Sequence, residues 1–176
     1  MDIFIPSLIS FLITTITIPP TIYLAKTLKL LDNPKTRPHP AHIQKRIVPR
    51  AGGLAIFLGI TLTALIFVPL TKTSGGILIG ILVLLIVGLL DDKYHNLSPY
   101  WRLLAQFSAG AVAVGSGIGI KFITNPIGGI IHLENVLLIA DILALVWIVW
   151  VMNMINWSKG VDGQMPGIIT VSAVIL

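Results

Sequence analysis

Gly76-Ile77-Leu78-Ile79-Gly80-Ile81-Leu82-Val83-Leu84-Leu85-Ile86-Val87-Gly88-Leu89-Leu90 carries no charge, and Asp91-Asp92-Lys93 follows it without a break. A run of this length and hydropathy reads as a membrane span, with its two carboxylates at the exit, in the polar interface. Acids are badly placed there. A helix C-terminus carries about half a negative charge and repels carboxylates. A cation relieves the repulsion. Mg²⁺ suits the pair, because it takes one or two carboxylates and completes its shell with water and phosphate oxygens. The plainer reading is a solvated helix end where two aspartates stop the run.

Composition favours a membrane protein around this stretch. The 176 residues are 55% hydrophobic and 11% charged, far from the balance of a soluble domain. There is no cysteine, which excludes a disulfide framework and thiolate metal sites. The start, Met1-Asp2, lacks the basic segment of a cleavable signal peptide. The expected fold class is all-α: a polytopic transmembrane helical bundle in one incomplete membrane domain, residues 1–176. Five complete spans are expected at about 3–25, 51–70, 74–90, 102–120 and 136–152, and a sixth starts at 166–176. Pro19-Pro20 should kink or terminate the first. The apolar character persists to Leu176, so the chain reads as a fragment of a larger membrane protein.

Lysine and arginine in the loops set the expected orientation. Lys26, Lys29, Lys35, Arg37, Lys45, Arg46 and Arg50 precede the second span, Lys93 and Arg102 separate the third from the fourth, and Lys159 follows the fifth. The alternate loops hold Lys72 and Lys121. The N-terminus is therefore expected outside, with loops 26–50, 91–101 and 153–165 cytoplasmic. Tyr94, Tyr100, Trp101, Trp150 and Trp157 fall near the inner interface, as an aromatic belt does.

These three loops carry the polar chemistry. The first contains His42-Ile43-Gln44-Lys45-Arg46-Ile47-Val48-Pro49-Arg50-Ala51-Gly52-Gly53. Its prolines forbid a continuous helix, Lys45, Arg46 and Arg50 suit a diphosphate, and Gly52-Gly53 lets a phosphate approach a helix N-terminus. Basic residues here also follow from the topology rule or from anionic lipid. In the second loop Ser98-Pro99 reads as an N-cap and first helical residue, and Arg102 and Gln106 share a helix face. In the third, Asn153 and Asn156 lie three apart and present both amides on one side, where they bind phosphate, ribose or metal-bound water, or simply cap the helix. Asp162 lies near two glycines, either a movable carboxylate or a plain turn.

Three motifs together resemble the polyprenyl-phosphate N-acetylhexosamine-1-phosphate transferase family, of the glycosyltransferase 4 type. They are His42-x-x-Lys45 with Pro49-x-x-Gly52-Gly53; Asp91-Asp92 with Leu97 and Arg102-Leu103-x-x-Gln106; and Asn153-x-x-Asn156-x-x-x-Gly160-x-Asp162-Gly163. The resemblance runs from about Asp32 to the end of the chain. It implies transfer of a sugar-1-phosphate from a UDP-N-acetylhexosamine to polyprenyl (undecaprenyl) phosphate, giving a lipid-diphospho-sugar and UMP for cell-envelope glycans. It implies Mg²⁺, with Mn²⁺ as an allowed substitute, and a site in the bacterial plasma membrane. Asp91 and Asp92 are then metal-binding and, with Asp162, catalytic. His42, Lys45, Arg50, Arg102, Asn153, Asn156 and Lys159 are then substrate-binding. No nucleic-acid partner is expected, and a homodimer is compatible.

The chain departs from the family pattern at Lys159, where the family usually has Asp. The family's downstream Gly-Asp motif and histidine-bearing loop lie outside this sequence, so the fragment itself is expected to lack activity. The alternatives are a non-catalytic membrane module, or a degenerate member that binds nucleotide sugar or lipid without turnover. A transporter would place its polar residues near the bilayer midplane. Here they gather at the ends of spans.

Overall fold

A computed structural model describes residues 3–33, 47–94, 97–133, 136–158 and 163–175. In chain order they form α1 (Phe4–Thr27), β1 (Leu31–Asp32), β2 (Val48–Pro49), α2 (Gly52–Phe67), α3 (Lys72–Tyr94), α4 (Pro99–Gly115), β3 (Phe122–Thr124), β4 (Ile130–His132), α5 (Leu137–Trp157) and α6 (Gln164–Ile175). Each of the six expected apolar segments holds a helix, but the one in 102–120 stops at Gly115, and five complete spans are not borne out. By length and composition, α1, α3 and α5 are sufficient to cross a membrane, while α2 and α6 are shorter apolar helices. A polytopic helical membrane protein fits this pattern. The two short ribbons are not foreseen by hydropathy. The chain divides into two compact units, Met1–Gly117 and Ile118–Leu176.

In the first unit α1 packs on α2 and α3 on α4. Both seams depend on small residues. Without a hydrophobic driving force in lipid, helices associate where backbones approach closely. Gly59 of α2 lies so near Thr14 and the Ser10 carbonyl of α1 that a Cβ there would collide with them. Gly76 of α3 is pressed equally hard against Ser116, just beyond α4. One turn on, a Cβ on Gly80 would meet the Ala109 carbonyl oxygen at 3.1 Å. Thr73 Oγ1 donates to the Ser116 carbonyl at 2.9 Å and fixes the same corner. At the start of α3, the Thr71 N–H donates to Ser74 Oγ at 2.8 Å and the Ser74 N–H to Thr71 Oγ1 at 3.2 Å, reciprocal bonds of the capping-box kind.

Two sequence expectations meet different outcomes. Ser98 does cap α4: its Oγ accepts from the Tyr100 N–H at 3.4 Å, and Pro99 opens the helix. Pro19-Pro20 does not terminate α1, which continues to Thr27 with both prolines inside it. Each proline removes one helical donor. Apolar helices of this kind tolerate that loss where hydroxyls and local adjustment satisfy the backbone. The carbonyls so freed are those of Thr15 and Ile16; the Thr15 and Thr17 hydroxyls bond a turn earlier, to the Phe11 and Ile13 carbonyls at 2.8 Å, and do not replace the lost donors.

The end of α1 decides where the first polar loop begins. Lys29 adopts a left-handed conformation, φ 58°. Its N–H reaches the Lys26 carbonyl at 3.2 Å, and the Leu30 N–H reaches the Ala25 carbonyl at 2.7 Å. This is a Schellman turn. The accompanying apolar contact is present too: Ala25, Leu30 and Ala51 form a buried cluster, with Leu89 of α3 packed against it. The reversed chain runs into β1, which pairs antiparallel with β2, Leu31 opposite Pro49 and Asp32 opposite Val48.

The second unit holds the β3–β4 hairpin, α5 and α6. The hairpin pairs Phe122 with His132 and Thr124 with Ile130. Asn125 shapes its turn, accepting the Ile127 N–H on Oδ1 at 3.1 Å. Gly128 and Gly129 supply the positive φ angles, 121° and 85°. Helix α5 runs past the expected boundary at Met152 and takes in Asn153 and Asn156.

Candidate functional site

Around the last turn of α3 five charged groups of the first unit come together. Asp91 and Asp92 are consecutive, so they project about 100° apart around the helix and meet different partners. Asp91 Oδ2 lies 3.7 Å from Arg102 Nη1, on the first turn of α4. Asp92 Oδ1 lies 3.6 Å from Arg50 Nη1. The other Asp92 oxygen, Oδ2, accepts the Ala51 N–H at 3.0 Å. The second nitrogen of Arg50, Nη2, lies 3.6 Å from Asp32 Oδ2. Arg50 therefore stands between Asp32 and Asp92.

Each position follows from local folding. The Schellman turn and the β1–β2 pair deliver Asp32. The Arg50 N–H donates to the Leu30 carbonyl at 2.8 Å, which anchors its backbone beside β1. Ala51 is left-handed, φ 73°, and this bend starts α2 and turns its N–H toward Asp92. A residue with a Cβ rarely adopts that conformation. Burial of Ala51 against Ala25 and Leu30 holds it there.

The separations matter chemically. Charge-assisted hydrogen bonds between guanidinium and carboxylate are about 2.7–2.9 Å long. At 3.6 and 3.7 Å these arginines neutralise charge without saturating the oxygens. The side chains of Asp91 and Asp92 are each 25% exposed, so both carboxylates reach water. Among the described residues, no group of three or more His, Cys, Asp or Glu side chains is placed to hold a metal. A two-carboxylate, all-oxygen set suits Mg²⁺, which takes the rest of its octahedron from water and phosphate. It does not suit a metal that needs nitrogen or sulfur ligands. The residues present fit the expected ion.

The structure thus brings together four of the residues singled out in the sequence: Asp91, Asp92, Arg50 and Arg102. Asn153 and Asn156 belong to the second unit. They are half-buried on the last turns of α5, and Asn153 Nδ2 donates to the Val149 carbonyl at 2.8 Å. His42, Lys45, Lys159 and Asp162 lie outside the described residues. Two participants escaped the sequence reading. Asp32 figures in the sequence only as the point where the resemblance begins, and Ala51 contributes a backbone group. An acid heading a basic, proline-rich segment was the available signal for Asp32; for Ala51 there was none.

Comparison with known proteins places the chain in a family. A family model described as glycosyl transferase family 4 matches residues 74–176, more than half of the chain. The chain is 32% identical over 166 residues to a probable undecaprenyl-phosphate N-acetylglucosaminyl 1-phosphate transferase of Bacillus subtilis, covering 94% of this chain and 44% of that protein. It is 28% identical over 176 residues to a decaprenyl-phosphate N-acetylglucosaminephosphotransferase of Mycobacterium tuberculosis, covering 94% and 42%. A phospho-N-acetylmuramoyl-pentapeptide-transferase of Caldicellulosiruptor bescii is 28% identical over 197 aligned positions, covering 100% and 57%. The chain spans about half the length of these curated relatives. No solved structure matches.

Proposed function

The chain belongs to glycosyl transferase family 4, and we propose that the full-length protein moves a sugar-1-phosphate from a UDP-N-acetylhexosamine onto polyprenyl phosphate at the plasma membrane. An oxygen of the lipid phosphate forms a bond to the phosphorus bearing the sugar. The bond from that phosphorus to the bridging oxygen breaks, and its electron pair leaves with UMP. The observation that carries this reading is the aspartate pair at the end of an apolar helix, faced by two arginines and open to water. A lipid phosphate and a soluble nucleotide can meet only near the membrane surface, and this is where such a pair belongs.

Asp91 and Asp92 would hold Mg²⁺ or Mn²⁺, which when bound supplies charge that offsets the developing negative charge on the diphosphate. Arg50 and Arg102 hold the two carboxylates in register and add positive charge beside the transferred group. Lys45 is assigned to phosphate, His42 to substrate binding, and Asn153, Asn156 and Asp162 to the nucleotide and metal side, as the family's motifs imply. The N-terminus is outside in this reading, and loops 26–50, 91–101 and 153–165 are cytoplasmic. Their greater share of lysine and arginine supports that orientation.

The test uses full-length protein in membranes with UDP-N-acetylglucosamine, polyprenyl phosphate and Mg²⁺, reading UMP release. Asp91→Asn and Asp92→Asn are expected to lower turnover by about a hundredfold or more. Undiminished turnover in both variants overturns the assignment. One residue favours a second reading, a member that binds without turnover: Lys159 stands where the family usually has Asp. UDP-sugar binding with no UMP released, under conditions where Lys159→Asp does release it, selects that reading.

A further inference from the structure

We propose that Asp32 is a positioning residue for the aspartate pair: by sharing Arg50 it draws the guanidinium away from Asp92 and leaves that carboxylate open to a divalent cation. This rests on the reading of Asp91 and Asp92 as the metal-holding groups. The two charged partners of the pair are arranged differently. Arg102 meets one carboxylate, Asp91, through Nη1, and its side chain is 44% exposed. Arg50 is 28% exposed and splits its two terminal nitrogens between two carboxylates, Nη2 to Asp32 and Nη1 to Asp92, each at 3.6 Å.

The split has a cause in the fold. Asp32 is the most buried acid of the cluster, its side chain 10% exposed against 25% for Asp91 and Asp92. Its backbone is pinned by pairing with Val48, and that of Arg50 by the bond to the Leu30 carbonyl. Both backbones are thus fixed independently of Asp92. A guanidinium serving Asp92 alone would favour two parallel hydrogen bonds to both its oxygens, the preferred geometry of the pair. One of those oxygens already takes the Ala51 N–H. A fork from Arg50 would leave Asp92 little to offer a metal.

Charge points the same way. Among the described residues, Asp32, Asp91 and Asp92 face Arg50 and Arg102, three negative groups against two positive, so this ion-paired set is net negative by one. Without the Asp32 carboxylate it is neutral and attracts a divalent cation less. Removing Arg50 as well returns it to net negative by one. Removing Arg50 alone makes it negative by two.

These three states make the test. Full-length protein in lipid nanodiscs is titrated with Mn²⁺ alone, with binding followed by electron paramagnetic resonance. Asp32→Asn is expected to raise the half-saturating Mn²⁺ concentration by about tenfold, the range seen when groups that orient metal ligands are removed. Arg50→Gln is expected to lower it, a gain that misfolding cannot produce. Asp32→Asn with Arg50→Gln is expected to return within about threefold of the parent, because the competing guanidinium has gone. Asp32→Glu retains the charge and is expected to bind like the parent. Unchanged Mn²⁺ binding in Asp32→Asn overturns the proposal, as does a double variant no better than Asp32→Asn. A parent protein that binds no Mn²⁺ overturns it too. The reaction is judged separately by UMP release: the predicted Mn²⁺ shifts in a protein that makes no UMP sink the transferase reading and leave Asp32 in its role.

Discussion

Helix α3 is held at its two ends by opposite means. Near its start Gly76 and Gly80 let the backbone press against Ser116 and Ala109, leaving no room for a Cβ at Gly76 and only a tight fit at Gly80. Near its finish Asp91 and Asp92 face Arg102 and Arg50 across 3.6–3.7 Å, with a quarter of each carboxylate side chain exposed. The glycine end depends on contact, which is short-ranged and unforgiving. The aspartate end depends on charge, which acts across a gap and leaves room for water, metal or phosphate. One helix thus joins a rigid seam to an open, charged end, and damage to the two ends should differ in kind.

The sharpest contrast is expected from Gly76→Leu. A side chain there collides with Ser116 at once, and the α3–α4 seam must open. Overpacking typically costs about 1–3 kcal/mol and occasionally more. Here it is expected to abolish folded, monodisperse protein in detergent by size-exclusion chromatography. Asp91→Asn should leave that elution profile intact while UMP release falls. Recovery of Gly76→Leu as stable protein would break the comparison.

Gly80→Ala is a milder probe. The added Cβ meets the Ala109 carbonyl oxygen at 3.1 Å, a contact that backbone cannot easily relieve. It is expected to destabilise by about 1–2 kcal/mol in thermal unfolding. Gly75→Ala, where nothing lies within 4 Å, supplies the control. It should be neutral or stabilising by up to about 1 kcal/mol, because alanine favours helix over glycine. Equal effects at 75 and 80 would mean that the seam is not the cause.

These outcomes bear on what could be read from the chain beforehand. The helices were legible because spans announce themselves by length and hydropathy. The Ser98 cap was legible because serine before proline has one dominant use. Asp91-Asp92 stood out because charge at the end of an apolar run is costly. The frame around the pair was not legible. Lys29 and Ala51 both have positive φ, and neither is a glycine, so no residue type signalled the turn after α1 or the bend before α2. Strands of two residues have no periodicity to detect. The bond from the Ala51 N–H to Asp92 crosses 41 residues and is made by backbone, which sequence does not spell out. The extension of α5 was missed because asparagines resemble a cap; Asn153 instead bonds within its own helix.

Ala51 offers a third probe, set on the frame rather than at either end. Its left-handed conformation costs roughly 1–2 kcal/mol for a residue with a Cβ. Glycine has no such penalty, so Ala51→Gly would gain from relieved strain and lose from chain entropy and from the Ala25–Leu30 cluster. A net change within about 1 kcal/mol is expected in thermal unfolding. Ala51→Pro removes the N–H that reaches Asp92 and forbids positive φ. It should lower turnover more than Ala51→Gly does. Equal turnover in the two would remove Ala51 from the account of how Asp92 is oriented.

The smallest effect on folding is expected from Arg102→Gln, and that smallness is informative. The Arg102 side chain is 44% exposed and stands 3.7 Å from Asp91. Ion pairs this open contribute about 0.2–1 kcal/mol net, since solvent screens them and ordering the side chains costs entropy. Thermal unfolding should therefore shift little, and less still at high salt, where the parent pair is screened as well. If the aspartate end were a structural clamp like the glycine end, the loss would instead approach that of Gly80→Ala. A shift of that size would mean that Arg102 holds α4 on α3. A small shift accompanied by a clear fall in UMP release would mean that its charge serves Asp91 and the diphosphate, leaving the helix pair to the glycines.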